Sequence, residues 1–351
     1  MGHLTFFGFI KSQYSKQYPV EKVDLTGKTI IVVGANAGLG FEAAKHFATM
    51  GPGRLILACR SQSKGQAALE QLKADTACTT AELWIIDLAD FASVQSFANK
   101  FNQDGGRLDI LVENAAVILP QYERSKDGWE TCLQVNCLSP SLLALLLFPS
   151  MVGTAQQHST VPRIVVVASE VHYFTSIEKR VVETSDILGT LGSAEYCTPK
   201  YACPIPPTHL KLDPGCSFIN ILFVRALNAR ISKSTPLIVN AVNPGYCYSN
   251  IRKSFSGLMA VIDWLMEVTL ALPTEKGSRQ LVWAAVGQQS DQDRLRGEYI
   301  SRLHVEEVSD YILSPEGARV QDRIWDELVE ILGKVNPRVL ETVDQYLSQQ
   351  P

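Results

Sequence analysis

Apolar residues in the first half of the chain gather in short unbroken runs rather than alternating with polar ones. Ile30–Val33, Arg54–Arg60 with its apolar middle, Glu82–Asp87, Leu108–Val112 and Arg163–Ala168 all read this way. Strands buried on both faces have that pattern, as in a parallel sheet covered by helices. Helical spacing fills the gaps at Phe41–Met50, Lys64–Ala74, Phe91–Phe101 and Trp129–Met151, where Pro140 is expected to bend or interrupt the helix. From Phe174 to Ser217 the regularity is lost among five prolines. It returns with a helix at Phe218–Ile231, a strand at Pro236–Val242, a helix at Glu275–Val286 and a last strand at Glu298–Ser301. Val320–Leu332 and Val339–Leu347 are amphipathic and serve as a C-terminal cover.

Alternating strands and helices predict an α/β fold, a doubly wound parallel sheet of the Rossmann type. The expected layout is an N-terminal extension (1–22), one domain (23–313) and C-terminal helices (314–351). Within the domain, 174–217 is an irregular insert and 254–272 an apolar segment.

The polar residues worth noting stand where these runs stop. Gly34-Ala-Asn-Ala-Gly38-Leu39-Gly40 joins the first strand to the first helix. Glycines there give left-handed backbone and close approach, and the helix start offers free N–H groups to a phosphate. Arg60, Asp87, Asn114 and Ser169 follow the next four strands, and Asn243-Pro244-Gly245 the sixth. Ligands of such sheets bind beyond the carboxyl ends of the strands, so these residues share one rim. Arg60, with Lys64 at the start of the next helix, occupies the adenosine-ribose position, where cations suit a 2′-phosphate. That favours NADP(H) over NAD(H).

Composition narrows the picture. The 351 residues are 46% hydrophobic and 19% charged, with a net charge of −4 and no basic block, so nucleic acid is not an implied partner. Eight scattered cysteines show no metal-like spacing and read as reduced thiols. The apolar run Leu4–Ile10 is short and is expected to dock on the domain, with peripheral membrane contact as the other reading. Leu142–Val152 and Leu258–Leu272 are too short or too interrupted to span a bilayer. A cytoplasmic protein is expected, with room for a homo-oligomer.

Over roughly Val23 to Leu313 the chain resembles the short-chain dehydrogenase/reductase family, close to its retinol-dehydrogenase-like and fungal secondary-metabolism members. The resemblance rests on Gly34-x-x-x-Gly38-x-Gly40, Ala58-Cys59-Arg60, Asp87-Leu88, Asn114-Ala115-Ala116, Val135-Asn136, Ser169 and Asn243-Pro244-Gly245. It implies an oxidoreductase interconverting a carbonyl and an alcohol by hydride transfer with NADP(H). Leu39 would lie against the cofactor and Asp87 would hold the adenine amine or cap a helix. Asn136 would hold a helix irregularity in a proton relay, and Ser169 would hydrogen-bond the substrate carbonyl. Pro244 and Gly245 would complete the cofactor site. Val33 stands where a threonine often braces the turn. Ser254–Leu272 falls at the substrate-binding loop, and its residues Phe255, Leu258, Met259, Val261, Ile262, Leu265 and Met266 suit a small apolar carbonyl or alcohol.

The family's catalytic Tyr-x-x-x-Lys is absent in register. Asn220–Arg225 resembles the stretch after the lysine, which puts Ser217 at the lysine position and Asp213 at the tyrosine position. Three readings stay open. Tyr196 and Lys200, the literal Y-x-x-x-K, could replace the pair, with Tyr201 and Lys211 as weaker substitutes. Thr198–Ser217 could reflect a mis-assigned splice junction. Or the chain binds dinucleotide or a partner without turnover.

Overall fold

The structure, a computed structural model, describes residues 6–14, 19–119, 121–197, 212–249 and 257–347. In chain order its elements are α1 (Phe6–Gln13), β1 (Thr29–Val33), α2 (Gly38–Ala48), β2 (Arg54–Cys59), α3 (Gln62–Thr76), β3 (Ala81–Ile85), α4 (Phe91–Gln103) and β4 (Ile110–Glu113). Next come α5 (Thr131–Leu133), a π-turn (Gln134–Leu138), α6 (Ser139–His158), β5 (Arg163–Val167) and a 3-10 turn (Glu170–Phe174). The short helices α7 (Lys179–Val182), α8 (Ile187–Leu191) and α9 (Ala194–Cys197) precede α10 (Leu212–Arg230), β6 (Ile238–Asn243), α11 (Gly257–Leu270) and α12 (Thr274–Val286). The chain closes with β7 (Tyr299–Ser301), β8 (His304–Glu306), α13 (Asp310–Leu313), α14 (Pro315–Val335) and α15 (Arg338–Tyr346).

The eight strands form one sheet in the order β3-β2-β1-β4-β5-β6-β7-β8, parallel except for β8. This is the doubly wound arrangement expected from the sequence. Alternate side chains of each strand feed two cores on opposite faces. Ile31, Val33, Ile56, Ala58, Ile164 and Val166 face α4, α6, α10, α14 and α15. Ile30, Val32, Leu55, Leu57 and Val165 face α2, α3 and α12. Burial on both sides is why the strand sequences run apolar without alternation. The amino ends of β1 and β4 are pinned together: Thr29 N donates to Asp109 Oδ2 at 2.9 Å, and Arg107 grips the same carboxylate with two hydrogen bonds.

Several boundaries differ from the sequence reading. Pro140 does not end the helix after β4; the irregularity expected there is the π-turn Gln134–Leu138 just before it. The chain stays helical from Thr131 to His158, so Leu142–Val152 belongs to a stretch of 28 residues, long and apolar enough to cross a bilayer. Nearly all of that stretch is buried against the sheet, α4 and α15, and it is a core helix. The segment 174–217 is less irregular than expected: α7, α8 and α9 occupy part of it, and α10 begins at Leu212 rather than Phe218. Pro214 falls in the first turn of α10, the one place a helix accepts it. β8 is too short to announce itself by alternation. α14 packs on α10 and α15 on α6, so both C-terminal helices contribute to one of the two cores.

Candidate active site

Parallel register sets the rim. Val33 stands opposite Ala58 and Glu113, Glu113 opposite Val166, Val167 opposite Val242, and Asn243 opposite Ser301. Gly34, Arg60, Asp87, Asn114, Ser169 and Pro244 therefore emerge one or two residues beyond neighbouring strand ends. Strands in a sheet lie about 4.8 Å apart, so adjacent members of this row are near neighbours.

The glycine turn is built by two different constraints. Gly34 (φ +77°) and Gly38 (φ +61°) need left-handed backbone. Gly40 needs space: a Cβ there would stand 2.4 Å from Asn114 Nδ2 and 2.6 Å from Gly34 O. A Cβ on Gly38 would meet nothing within 4 Å, so this glycine borders open space. α2 starts here with no side-chain cap and no acid in its first turn. Its leading N–H groups and positive dipole end are left for an anion, which fits the pyrophosphate of a dinucleotide.

Asn114 braces this turn from β4. Its Nδ2 donates to Val33 O at 3.1 Å and Gly34 O at 3.3 Å. The support expected to be missing with Val33 in place of threonine thus comes from the neighbouring strand. Leu39 is half-buried, and its side chain leans toward Gly277 of α12, where a Cβ would meet Leu39 Cδ2 at 2.7 Å. Leu39 thus packs on α12 while staying half-exposed beside the glycine turn.

At the adenosine end, Arg60 follows β2 and is exposed, as is Lys64 in the first turn of α3. Among the described residues neither has an ion-pair partner. Asp87 Oδ1 accepts from Ala89 N at 3.0 Å, while Asp87 N donates to Ser93 Oγ. The helix cap considered for Asp87 belongs to Asp90, whose Oδ1 accepts from Ala92 N. That leaves Asp87 as a turn residue beyond the end of β3.

At the other end, Ser169 leaves β5 in extended backbone, and its Oγ accepts from Val171 N at 3.3 Å. Its hydroxyl proton is available to a carbonyl oxygen. Asn136 sits within the π-turn, and its side chain holds Val117: Oδ1 accepts from Val117 N at 2.8 Å and Nδ2 donates to Val117 O at 2.9 Å. Asn136 therefore locks the loop after β4 onto the helix irregularity. Gly245 (φ +79°) completes the turn after β6, where Asn243 Oδ1 accepts from Gly245 N at 3.1 Å.

Four polar residues that the sequence reading passed over lie close by. Glu113 ends β4 fully buried, with no hydrogen-bond partner on either oxygen, and burial holds its carboxyl far above the usual carboxylate range. A glutamate closing an otherwise apolar strand was the available signal. Glu170 follows Ser169; burial pushes its carboxyl up to about 7 against the pull of Arg302 and a hydrogen bond with Asn243. His172 is buried, and its Nδ1 hydrogen-bonds Ser169 O at 2.8 Å; burial depresses it to about 4. Tyr299 packs edge-on against the His172 ring, and neither its hydroxyl nor His172 Nε2 finds a partner.

The proton-transfer positions remain as the sequence left them. Ser217 is buried in α10, and Asn220 one turn on donates from Nδ2 to Val167 O at 3.2 Å, holding α10 to the end of β5. Asp213 lies in the first turn of α10. Tyr196 is on α9, partly buried, and burial raises its hydroxyl, the wrong direction for a donor near neutrality. Thr198, Lys200, Tyr201, Lys211 and Phe255 fall outside the described residues. Among the described residues no two cysteines are joined by a disulfide.

Comparison with known proteins agrees with this geometry. Residues 28–179 match the short chain dehydrogenase family. Short chain dehydrogenase/reductase dmxR8 of Cryptosporiopsis sp. (strain 8999) is 33% identical over 335 residues, covering 95% of this chain and 98% of its own. Short-chain dehydrogenase anuD of Penicillium roqueforti is 32% identical, over 96% of this chain and 85% of its own. Among solved structures, an uncharacterized protein from Mycobacterium paratuberculosis superposes with a TM-score of 0.62 at 22% identity, over 89% of this chain and 96% of its own. L-sorbose reductase of Gluconobacter frateurii, solved with NADPH and L-sorbose, gives 0.56 at 17% identity, over 79% and 95%.

Proposed function

The chain belongs to the short-chain dehydrogenase/reductase family, and on that premise we propose that it is an NADP(H)-dependent oxidoreductase. Its reaction would interconvert a carbonyl and an alcohol on a small apolar metabolite, as a step of secondary-metabolite biosynthesis. The observation that carries the cofactor choice is the pair Arg60 and Lys64: two exposed cations beside the second strand's end, with no ion-pair partner among the described residues. L-sorbose reductase, which shares the fold, was solved with NADPH, and this supports the reading.

Each group on the rim has a task in this reading. The N–H groups of α2 and the open side of Gly38 receive the pyrophosphate; Arg60 and Lys64 receive the 2′-phosphate; Asp87 faces the adenine. Bound NADPH supplies the hydride. Ser169 donates its hydroxyl hydrogen to the substrate oxygen, which polarises the carbonyl as negative charge develops there. Asn136 ties the π-turn to the loop at Val117 beside the rim.

A second reading concerns the proton donor. Ser217 stands 27 residues before Pro244 and Lys200 stands 44 before it. Without residues 201–217, Lys200 would directly precede Phe218, and Tyr196 and Lys200 would take the tyrosine and lysine positions of the family. Residues 201–217 then act as an insertion into an otherwise regular catalytic helix. Purified full-length chain is titrated with NADPH and then assayed by NADPH absorbance on a panel of apolar ketones and aldehydes, beside a variant lacking 201–217. Binding with turnover in the full chain supports the main reading, and loss of that turnover in Tyr196→Phe would place the donor at Tyr196. Turnover only in the shortened variant supports the insertion. NADPH binding with no turnover in either chain overturns the oxidoreductase reading. A transcript encoding 198–218 as written would overturn a splice origin for the segment.

A further inference from the structure

The short helix α1 precedes the sheet in sequence, yet it packs on the carboxyl-end rim. Gln13 is only 6% exposed, although Lys11 and Tyr14 beside it face solvent. Its amide stands against the turn that follows β6: a Cβ on Gly245 would lie 3.8 Å from Gln13 Nε2 and 3.9 Å from Oε1. Phe9, one helical turn earlier on the same face, meets the ring of Tyr246 edge-on at 6.3 Å. Tyr14 fixes the end of the helix, its hydroxyl donating to Thr269 O at 2.8 Å. Behind the turn the contacts continue inward. Leu272 N donates to Tyr246 O at 2.8 Å, and Tyr248 N donates to Leu272 O at 3.0 Å. A Cβ on Gly277, in the first turn of α12, would meet Cys247 Sγ, Leu39 Cδ2 and Pro244 O. A continuous stack therefore runs from Gln13 through Gly245–Cys247 and α12 to the helix that opens at the glycine turn.

We propose, resting on the dinucleotide reading, that α1 acts through Gln13 as a positioning element for the nicotinamide half of the cofactor site. The sheet order fixes the direction in which a dinucleotide must run. With the adenosine ribose at Arg60 beyond β2 and the pyrophosphate at Gly34–Gly40 beyond β1, the remaining half extends over β4, β5 and β6. The turn Asn243–Cys247 closes that side. Its conformation is specific: Gly245 has left-handed backbone (φ +79°), and Asn243 Oδ1 accepts from Gly245 N. Gln13 lies where a side chain on Gly245 would project, and it holds the turn from there without touching a reacting atom. A backbone held in its binding conformation before the ligand arrives loses less freedom on binding, so the tie shows in affinity.

The test compares NADPH with adenosine 2′,5′-bisphosphate, which carries the ribose phosphate and lacks the nicotinamide half. Both are titrated by calorimetry into the full-length wild type and its variants, so no turnover is needed. Gln13→Ala should weaken NADPH about tenfold and leave the bisphosphate within about twofold. Arg60→Ala should weaken both ligands, because both carry the 2′-phosphate. Tyr14→Phe keeps the ring and loses only the bond to Thr269 O; it should show the same selectivity as Gln13→Ala with a smaller loss, and it carries the test where Gln13→Ala does not fold. General loosening of the fold would not produce a loss confined to one half of the cofactor. Unchanged NADPH affinity in Gln13→Ala, or a parallel loss of both ligands, would overturn the proposal. A wild-type chain that binds neither ligand would overturn the dinucleotide reading itself, and this inference with it.

Discussion

The amide nitrogen of Asn114 lies 2.4 Å from where a Cβ on Gly40 would sit. That approach fastens the fourth strand to the phosphate turn. Gly40→Ala would force Asn114 off Val33 O and Gly34 O, so we expect the chain to fold with a weakened turn. Asn114→Leu loses the same two hydrogen bonds at a cost of about 1–3 kcal/mol. Urea unfolding should show both losses, and NADPH fluorescence titration should show affinity falling in parallel. An Asn114→Leu variant of wild-type stability would deny the brace.

Arg60 and Lys64 give the cofactor choice a direct check. Arg60→Ala should weaken NADPH binding by about 10- to 100-fold, the worth of a hydrogen bond to a charged group, and leave NADH nearly unchanged. Added salt should weaken NADPH binding to the wild type more than to the variant. Equal losses for both cofactors would move the 2′-phosphate elsewhere.

What the sequence made legible depended on period and position. Runs such as Ile30–Val33 and Arg163–Val167 can only be doubly buried strands, and the residues that end them fall on one rim whatever the loops do. The π-turn at Gln134–Leu138 changes the hydrogen-bond step without changing the apolar pattern, so residue spacing cannot reveal it. Pro214 reads as a break, yet it stands in the first turn of a helix. Asp87 and Asp90 are equally good caps on paper; the backbone at Asp90 decided between them. Glu113, Glu170 and His172 look like ordinary loop and strand-end residues until packing removes their water.

His172 should shape the acid limb of stability. Its folded value, about 4, lies below the ordinary 6.5, so the folded chain declines a proton that the unfolded chain accepts. The stabilisation is full above pH 6.5 and is lost as the pH falls toward 4, roughly 3 kcal/mol in all. His172→Asn, which keeps a donor for Ser169 O, should flatten thermal stability across that window.

Glu170 acts with the opposite sign. Raised from 4.5 to about 7, it favours the folded state most below pH 4.5, and that contribution is lost as the pH rises to about 7. Glu170→Gln should remove this slope. Melting temperatures between pH 4 and pH 8 separate the two residues, because their windows overlap but their signs differ.

Burial holds the Glu113 carboxyl well above its usual range, and the same rule makes its burial cost more as the pH rises above the unfolded value. Glu113→Met replaces an acid lacking hydrogen-bond partners with an apolar chain of similar length. We expect it to stabilise the protein by about 1–3 kcal/mol at pH 8 and by less at pH 5, read by chemical denaturation.

The docking of α1 carries a consequence for synthesis. Tyr14 is bonded to Thr269, 255 residues further along the chain, and Phe9 rests on Tyr246. At roughly 5–20 residues per second, α1 leaves the ribosome about 13 to 50 seconds before its acceptor is made. Throughout that interval the apolar segment Phe6–Ile10 has no native surface to meet. One of the earliest segments made thus waits for a partner near the end of the chain, and nascent-chain chaperones have that long to find it.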